Sequence, residues 1–227
     1  MKGYGLQRKD FIEMINFTYR ERNKIIIFLV LFSFLFLFLY NLEGGGSETM
    51  SKLQGRKILM IIASQNFRDE ELFKPRELFI KEGMEVILAS SSLKVSRGML
   101  GGTAKPNILI GEVKVEEFEA IIFVGGTGAS EYWSNPIAHK IAKEAVSLNK
   151  IVCAICIAPV TLANAGILDE KKATVFRSEI KAIKRKGAIY TGKSVEVDAN
   201  IITADGPQAA EEFGKTIINF LLERIEE

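Results

Sequence analysis

Short apolar runs rich in β-branched residues recur along the chain after residue 56, where they alternate with helical patterns. Six of these runs predict β-strands, at residues 58–63, 86–89, 120–124, 151–155, 173–175 and 201–203. Several runs contain no polar residue, so both faces of the strand must be covered by other parts of the chain, as in a mostly parallel sheet. Strands that alternate with helices are typical of α/β proteins, and the sequence therefore predicts an α/β domain at residues 57–227.

Helical patterns lie between these runs. Residues 70–82 predict the first helix, in spite of Pro75. Asn135 followed by Pro136 is typical of a helix N-terminus, because Asn caps free N–H groups and proline suits the first turn. The last helix is predicted to begin near Pro207, where apolar residues recur at three- and four-residue spacing. Four turn-forming residues indicate a small hairpin after the second strand: Gly101, Gly102, Pro106 and Asn107.

Residues 25–40 form an apolar run of sixteen residues in which Ser33 is the only small polar side chain. As a helix this run would be about 24 Å long, against about 30 Å for the hydrocarbon core of a membrane. Residues 41 and 42 extend it, and basic residues dominate the segment before it. We therefore predict a basic segment at 1–24, a single transmembrane helix at 25–42 and a linker at 43–56. The N-terminus would lie in the cytoplasm and the domain would be exported.

The same segment has a second interpretation. The three glycines at 44–46 need GGN codons, so a ribosome-binding site can lie just before the codon for Met50. Translation from Met50 would give a cytoplasmic protein without the apolar run. Whether the domain is found at a membrane or in the cytoplasm depends on which start codon is used.

The composition excludes several classes of function. The chain has 30 basic and 28 acidic residues, and six of the basic but only three of the acidic ones lie in residues 1–24. The rest of the chain is close to neutral, which argues against nucleic acid as a partner. Two cysteines and one histidine are too few for a disulfide framework or for a zinc site closed by Cys and His ligands. We expect neither a metal nor a cofactor.

Cys156 lies where the fourth predicted strand runs into a helix that opens near Pro159 and ends near Gly166. This layout is that of a nucleophile elbow, in which the side chain projects at the carboxyl end of the sheet beside the N–H groups of a helix N-terminus. Such surroundings lower the pKa of a thiol. We therefore predict that Cys156 is reactive and has a depressed pKa, unlike an inert core cysteine.

Cys153 precedes Cys156 by three residues, and the pair matches a C-x-x-C motif. Three residues of extended strand separate Cα atoms by about 10 Å, whereas a disulfide needs less than about 7 Å. Cys153 is therefore predicted to be a buried, inert residue in the middle of its strand. His139, the only histidine, lies off the apolar stripe of its helix and is predicted to be a solvated surface residue.

A glycine-rich turn follows the third predicted strand. Gly126 and Gly128 begin a dinucleotide-binding pattern, but Glu131 stands where the third glycine belongs, and this turn is not the first of the domain. We expect the turn to bring the backbone N–H groups of Gly125 and Gly126 to the neighbouring elbow. Together with the N–H of Ile157, these groups would stabilise an oxyanion.

Three motifs occur together in residues 57–227: Asp69-Glu70-Glu71-Leu72-Phe73-Lys74-Pro75, Val124-Gly125-Gly126 and Ala154-Ile155-Cys156-Ile157-Ala158-Pro159. In this combination the chain resembles the ThiJ/PfpI family, which includes archaeal intracellular proteases and an oxidation-sensing protein linked to inherited parkinsonism. The resemblance implies a flavodoxin-like three-layer sandwich with a mostly parallel sheet. It also implies that Cys156 is the nucleophile or oxidation site. Glu71 would lie beside it, at least partly protonated, and would donate a hydrogen bond to the sulfur.

The chain departs from the family pattern at two positions. Protease-like members have a His directly after the nucleophile, where this chain has Ile157, and the oxidation-sensing branch has a His near the position of Phe176. Without an imidazolium to protonate a leaving amine, amide hydrolysis should be very slow. Addition of the sulfur to an aldehyde, or its oxidation, needs no such acid.

These features lead to one main hypothesis and two alternatives. The main hypothesis is a cofactor-independent, stress-protective protein whose Cys156 reacts with small carbonyl compounds or with oxidants. The alternatives are a peptidase-like cysteine hydrolase, and a holdase or assembly scaffold in which Cys156 is vestigial. We also expect a homo-oligomer.

Overall fold

The structure, a computed structural model, describes residues 51–226. The predicted basic segment at 1–24, the predicted transmembrane helix at 25–42 and most of the predicted linker at 43–56 lie outside the described residues. Within residues 51–226, none of the helices has the length and apolar character that a membrane span requires.

Strands and helices alternate along the described chain. The strands are β1 (Lys57–Ile61), β2 (Gln65–Phe67), β3 (Glu85–Ser90), β4 (Ser96–Gly98), β5 (Thr103–Ala104), β6 (Ile108–Leu109), β7 (Ala120–Phe123), β8 (Ile151–Ile155), β9 (Lys172–Ala173), β10 (Ile189–Tyr190), β11 (Val195–Asp198) and β12 (Ile201–Ala204). The α-helices are α1 (Asp69–Lys81), α2 (Pro136–Ser147), α3 (Pro159–Asn164), α4 (Ile180–Lys184) and α5 (Ala210–Glu226).

Seven strands form a central sheet in the order β11-β12-β8-β7-β1-β3-β6. Strand β11 is antiparallel to β12, and every other neighbouring pair is parallel. Strand β1 pairs with β3 on one side and with β7 on the other, so the chain changes its direction of travel across the sheet at β1. Ligand sites in such sheets lie at the carboxyl ends of the strands beside this point, which here are the ends of β1, β7 and β8.

Helices cover both faces of the sheet. Leu59 and Ile61 of β1 pack in one hydrophobic layer with α2 and α3, whereas Ile58 and Met60 pack in the other with α1 and α5. Each of these side chains is fully buried, which contributes about 2 kcal/mol apiece to the free energy of unfolding. The predicted α/β architecture with a mostly parallel sheet is therefore confirmed.

Pro75 does not break α1, although proline removes one helical hydrogen bond. Its ring is buried where α1 meets α5, and a Cβ atom on Gly214 of α5 would lie 3.1 Å from the Pro75 Cα. The close packing of the two helices therefore stabilises the first predicted helix in spite of its proline.

Two other predictions changed in detail. Of the predicted strand 173–175, only Ala173 lies in a strand, and β9 pairs with β10 in a small separate sheet. The reason is that the Thr174 N–H donates to the side-chain oxygen of Thr203 in β12 (2.9 Å) instead of to the backbone of a paired strand. The predicted hairpin after β3 exists, because β4 and β5 are antiparallel and form a three-stranded sheet with β2.

Candidate active site

Cys156 lies in a sharp turn between β8 and α3. Its φ of 65° is in the left-handed region, which costs a non-glycine residue about 1–2 kcal/mol. The Cys156 N–H donates to the Ala204 carbonyl (2.9 Å), and the Cys156 carbonyl accepts from the Phe176 N–H (2.8 Å). These bonds hold the turn at the carboxyl end of the sheet, as expected for an elbow, and leave the residue 8% exposed.

The carboxyl group of Glu71 is buried beside Cys156. Glu71 lies in the first turn of α1, and its side chain is fully buried. The Cys156 thiol and the Gly125 N–H lie near it, but neither carboxyl oxygen has a partner at full hydrogen-bond geometry within residues 51–226. Burial raises the pKa of Glu71 from 4.5 to about 8, against smaller opposing effects of Cys156 and Arg68. The carboxyl group is therefore mostly protonated at neutral pH.

Gly125 and Gly126 close the space on another side of Cys156. A Cβ atom on Gly125 would lie 2.5 Å from the Cβ of Cys156 and would collide with the Glu71 carboxyl group. Gly126 has a φ of 98°, and a Cβ atom there would collide with the backbone of residues 66–68. Only glycine fits at these two positions, because the turn after β7 is in direct contact with both α1 and the elbow.

The predicted oxyanion donors divide into two groups. The N–H groups of Gly126 and Ile157 lie near the Cys156 sulfur, where they favour the thiolate. The N–H of Gly125 lies instead beside the Glu71 carboxyl group. The structure therefore brings two of the three predicted donors to the sulfur and places the third at the acid.

The predicted depression of the Cys156 pKa is wrong. The pKa of this thiol is raised from 9.0 to about 12, first by burial and second by the negative charge of an ionised Glu71. The N–H groups near the sulfur act in the opposite direction but are outweighed. Helix α3 has only six residues, so its dipole adds little. At neutral pH the resting pair is therefore a carboxylic acid beside a protonated thiol.

A cleft of about 600 Å³ opens over Cys156, which is a usual size for a small-molecule site. Its lining residues are Arg68, Met99, Gly126, Thr127, Ser130, Trp133, Cys156, Ile157, Phe176, Ser178, Glu179, Pro207 and Gln208. The Arg68 side chain donates two hydrogen bonds to the Glu70 carboxylate, from Nε (2.8 Å) and Nη2 (3.1 Å). Its charge is therefore compensated within the protein.

Sequence reasoning missed Arg68, Met99 and Trp133 as lining residues. Trp133 could have been found, because it is the only tryptophan of the chain and follows the glycine-rich turn closely. Arg68 directly precedes the acidic motif and could have been considered with it. Met99 carries no such signal, because only the folding of the β4–β5 hairpin brings it to the cleft.

No imidazole lines the cleft. His139 is half-buried instead of solvated, with its Nε2 atom 2.9 Å from the Trp133 carbonyl oxygen, and it borders a separate groove along α2. Phe176, near the position where the oxidation-sensing branch of the family was said to have a His, lines the cleft. Cys153 is fully buried in β8, and burial raises its pKa. Within residues 51–226, no three His, Cys, Asp or Glu side chains are grouped so that they could hold a metal ion.

Fold and site together define an α/β protein with a cysteine at a nucleophile elbow and a buried carboxyl group beside it. Residues 56–220 match the sequence model of the DJ-1/PfpI family. The chain therefore belongs to this family, in agreement with the three sequence motifs.

Proteins from several organisms are similar in sequence to this chain. An uncharacterized protein of Methanocaldococcus jannaschii is 41% identical over 76% of this chain and 85% of that protein. Deglycase PfpI of Pyrococcus furiosus is 31% identical over 66% of this chain and 90% of its own length. The glutathione-independent glyoxalase DJR-1.2 of Caenorhabditis elegans is 25% identical over 73% of this chain and 89% of its own length. The solved structure of a ThiJ/PfpI domain protein from Brachyspira murdochii matches with a TM-score of 0.73 at 31% identity, over 75% of this chain and 98% of that one.

Proposed function

We propose that this protein is a cofactor-independent enzyme that adds its Cys156 thiol to the carbonyl carbon of reactive aldehydes and 2-oxoaldehydes. One observation carries the proposal: the buried Glu71 carboxyl group lies against Cys156, and within the described residues neither of its oxygens has a partner at full hydrogen-bond geometry. Its pKa of about 8 suits a group that takes up and releases a proton near neutral pH. The deglycase and the glyoxalase among the relatives support this substrate class.

In the first step an ionised Glu71 accepts the thiol proton while the Cys156 sulfur attacks the carbonyl carbon. The S–C bond forms, the π bond of the carbonyl group breaks, and the negative charge moves to the substrate oxygen. The N–H groups of Gly126 and Ile157 stabilise this oxyanion. The proton then passes from Glu71 to the oxygen, which gives a neutral hemithioacetal. No free thiolate is needed beforehand, which suits a thiol whose pKa is raised to about 12.

With a 2-oxoaldehyde, Glu71 can also move a proton from the aldehyde carbon to the neighbouring carbon. The aldehyde carbon is thereby oxidised to a thioester while the neighbouring carbonyl group is reduced to an alcohol, so no external redox partner is required. Water then hydrolyses the thioester to a 2-hydroxy acid and releases the Cys156 thiol.

The site supports the reaction with oxidants, which is the other part of the main hypothesis, and the two alternative functions less well. Oxidation by peroxide needs a thiolate, which the raised pKa of Cys156 makes scarce. In peptide hydrolysis Glu71 would have to protonate the leaving amine as well as take up the thiol proton, because the cleft lining described above contains no imidazole. A purely structural role would give no use to the strained turn at Cys156 or to the buried Glu71 carboxyl group, whose oxygens have no partner at full hydrogen-bond geometry within residues 51–226.

Consumption of methylglyoxal by the purified protein tests the proposal. Cys156→Ser should lower the rate at least about a hundredfold, because an alcohol is a much poorer nucleophile than a thiol. Cys153→Ser is the matched control and should keep the wild-type rate. A fully active Cys156→Ser variant would overturn the proposal, and parallel assays with peroxide and a peptide substrate would then show which alternative applies.

We further propose that the full-length chain is anchored to a membrane, forms a homo-oligomer and has no nucleic-acid partner. The apolar run at 25–42 supports the membrane anchor. The near-neutral charge of the rest of the chain argues against nucleic acid as a partner. Carbonate extraction of native membranes should leave the protein in the pellet, as it does for an inserted helix. A mature N-terminus at Met50 or Ser51 would instead indicate a cytoplasmic protein. Light scattering of the purified protein measures the oligomer.

A further inference from the structure

Three large uncharged side chains, Met99, Trp133 and Phe176, line the cleft beside its polar residues, and hydrogen bonds hold their backbones in place. The Trp133 indole N–H donates to the Ile157 carbonyl (3.2 Å), one residue beyond Cys156. The Trp133 carbonyl accepts from Asn164 Nδ2 (2.8 Å) and is bonded to His139 Nε2 (2.9 Å). Because hydrogen bonds hold both the ring and the backbone of Trp133, its flat apolar surface is a fixed part of the cleft that Cys156 also lines.

Phe176 forms a second flat wall. Its N–H donates to the Cys156 carbonyl (2.8 Å), so its backbone is tied to the elbow itself. The Arg177 guanidinium lies 5.9 Å from the centre of the Phe176 ring, within the range of a cation–π contact. This aromatic ring is therefore also held beside the sulfur before any substrate arrives.

Met99 forms a third wall, which the buried carboxylate of Asp69 positions. The two oxygens of Asp69 accept the N–H groups of Leu100 (2.8 Å) and Gly102 (2.7 Å), and the Met99 N–H donates to the Phe67 carbonyl (2.9 Å). These bonds hold the tip of the β4–β5 hairpin against α1. A methionine side chain adapts its shape easily and makes favourable contacts with aromatic rings.

The charged side chains that line the cleft, Arg68 and Glu179, have opposite signs and give no preference for an ionic substrate. Arg68 is paired with Glu70 through two hydrogen bonds, so its positive charge is already compensated. A three-carbon dicarbonyl compound would fill only a small part of the 600 Å³ cleft and would leave the apolar walls in contact with water.

We infer that the cleft selects carbonyl compounds that carry an aryl group, with the carbonyl carbon at Cys156 and the ring between Met99, Trp133 and Phe176. This inference rests on the proposed function and names its substrate class; the covalent step is the thiol addition to the carbonyl carbon given above. Arylglyoxals such as phenylglyoxal belong to the class, and methylglyoxal is its smallest non-aryl counterpart.

Binding of acetophenone and acetone tests the inference without any catalytic turnover, because the two ketones differ by the ring. Isothermal titration of the purified wild-type protein should show at least about tenfold tighter binding of acetophenone, since the walls bury the ring. Met99→Ala should weaken acetophenone binding several-fold. Leu100→Ala is the matched control, because Leu100 is the neighbouring residue, is 63% exposed and does not line the cleft. Equal binding of the two ketones, or equal effects of the two variants, would overturn the inference.

Turnover separates this inference from the proposed function. The ratio of kcat/KM for phenylglyoxal to that for methylglyoxal should be at least about ten in wild type and should fall in Met99→Ala. Turnover of both compounds with no preference would overturn the substrate class and leave the proposed function intact. Tight acetophenone binding without turnover of either compound would overturn the proposed function and support the aryl selectivity of the cleft.

Discussion

Cys153 and Cys156 lie three residues apart and are both buried, yet their surroundings differ in kind. Cys153, in the middle of β8, packs in the hydrophobic layer shared with α1 and α5, and burial alone raises its pKa. Cys156 lies one residue beyond the strand and faces the Glu71 carboxyl group and two backbone N–H groups. Two buried sulfurs on one short segment therefore differ in the groups that face them much more than in their exposure.

Alkylation should separate the two thiols by the largest factor. Iodoacetamide should label Cys156 at least about a thousandfold faster than Cys153, because Cys153 becomes accessible only when the protein unfolds. Labelling of Cys156 should rise with pH through about 8, where Glu71 ionises and can accept the thiol proton. Peptide mass mapping across the pH range measures both rates, with Cys153→Ser and Cys156→Ser as controls. Equal rates for the two thiols would remove the distinction between them.

Glu71→Gln tests the difference between the two cysteines, because it removes an ionisable group that lies beside Cys156 and not beside Cys153. The pKa of Glu71 is about 8 in the folded protein, against 4.5 as its ordinary value. Its contribution to the free energy of unfolding is therefore fully present below pH 4.5 and is lost as the pH rises towards 8. The loss is of the order of 4 kcal/mol. Glu71→Gln cannot ionise, so it should lack this decline and be more stable than wild type above pH 8.

Urea unfolding at a series of pH values measures this difference. Glu70→Gln is the control, because Glu70 is paired with Arg68 and its pKa is lowered by that hydrogen bond. Parallel stability curves for wild type and Glu71→Gln would show that Glu71 is already ionised at low pH, and the proposed proton transfer would lose its basis.

Gly125→Ala tests how closely the surroundings of Cys156 are packed. The added Cβ atom would lie 2.5 Å from the Cys156 Cβ and against the Glu71 carboxyl group, so we expect a destabilisation of about 3 kcal/mol. Gly111→Ala is the control, because the nearest atom to its Cβ would be 3.8 Å away, and it should change stability by less than about 0.5 kcal/mol. Thermal unfolding measures the loss of stability in each of the two variants. Similar values for both would mean that the turn after β7 can move away from the elbow.

Removal of residues 1–49 should change the labelling of the two cysteines least of all these changes. The groups described above around Cys156 belong to residues 51–226, and 178 residues are enough for an independent core. The labelling rates of Cys153 and Cys156 should therefore equal those of the full-length chain. A loss of Cys156 labelling in the shorter chain would assign residues 1–49 a part in the site.

The sequence predicts the α/β class and the elbow because both depend on local patterns. The apolar run of β8 predicts a strand, and Pro159, a few residues later, predicts the start of a helix. The direction of the Cys156 pKa shift does not follow from local patterns, because burial and the charge of Glu71 come from parts of the chain distant in sequence. Met99 was missed for the same reason, since tertiary packing alone brings it to the cleft, whereas Trp133 has a local signal in its place just after the glycine-rich turn.

The hydrogen bond from the Cys156 N–H to the Ala204 carbonyl has a consequence for the newly made protein. The ribosome synthesises β8 well before β12, so the elbow cannot be completed until almost the whole domain has emerged. Until then Cys156 is an ordinary thiol of an unfolded chain, with a pKa near 8.5, and any electrophile in the cell can reach it. Completion of the sheet removes this vulnerability and creates the site at the same moment. The protein therefore has to finish folding before it can act on the compounds that we propose as its substrates.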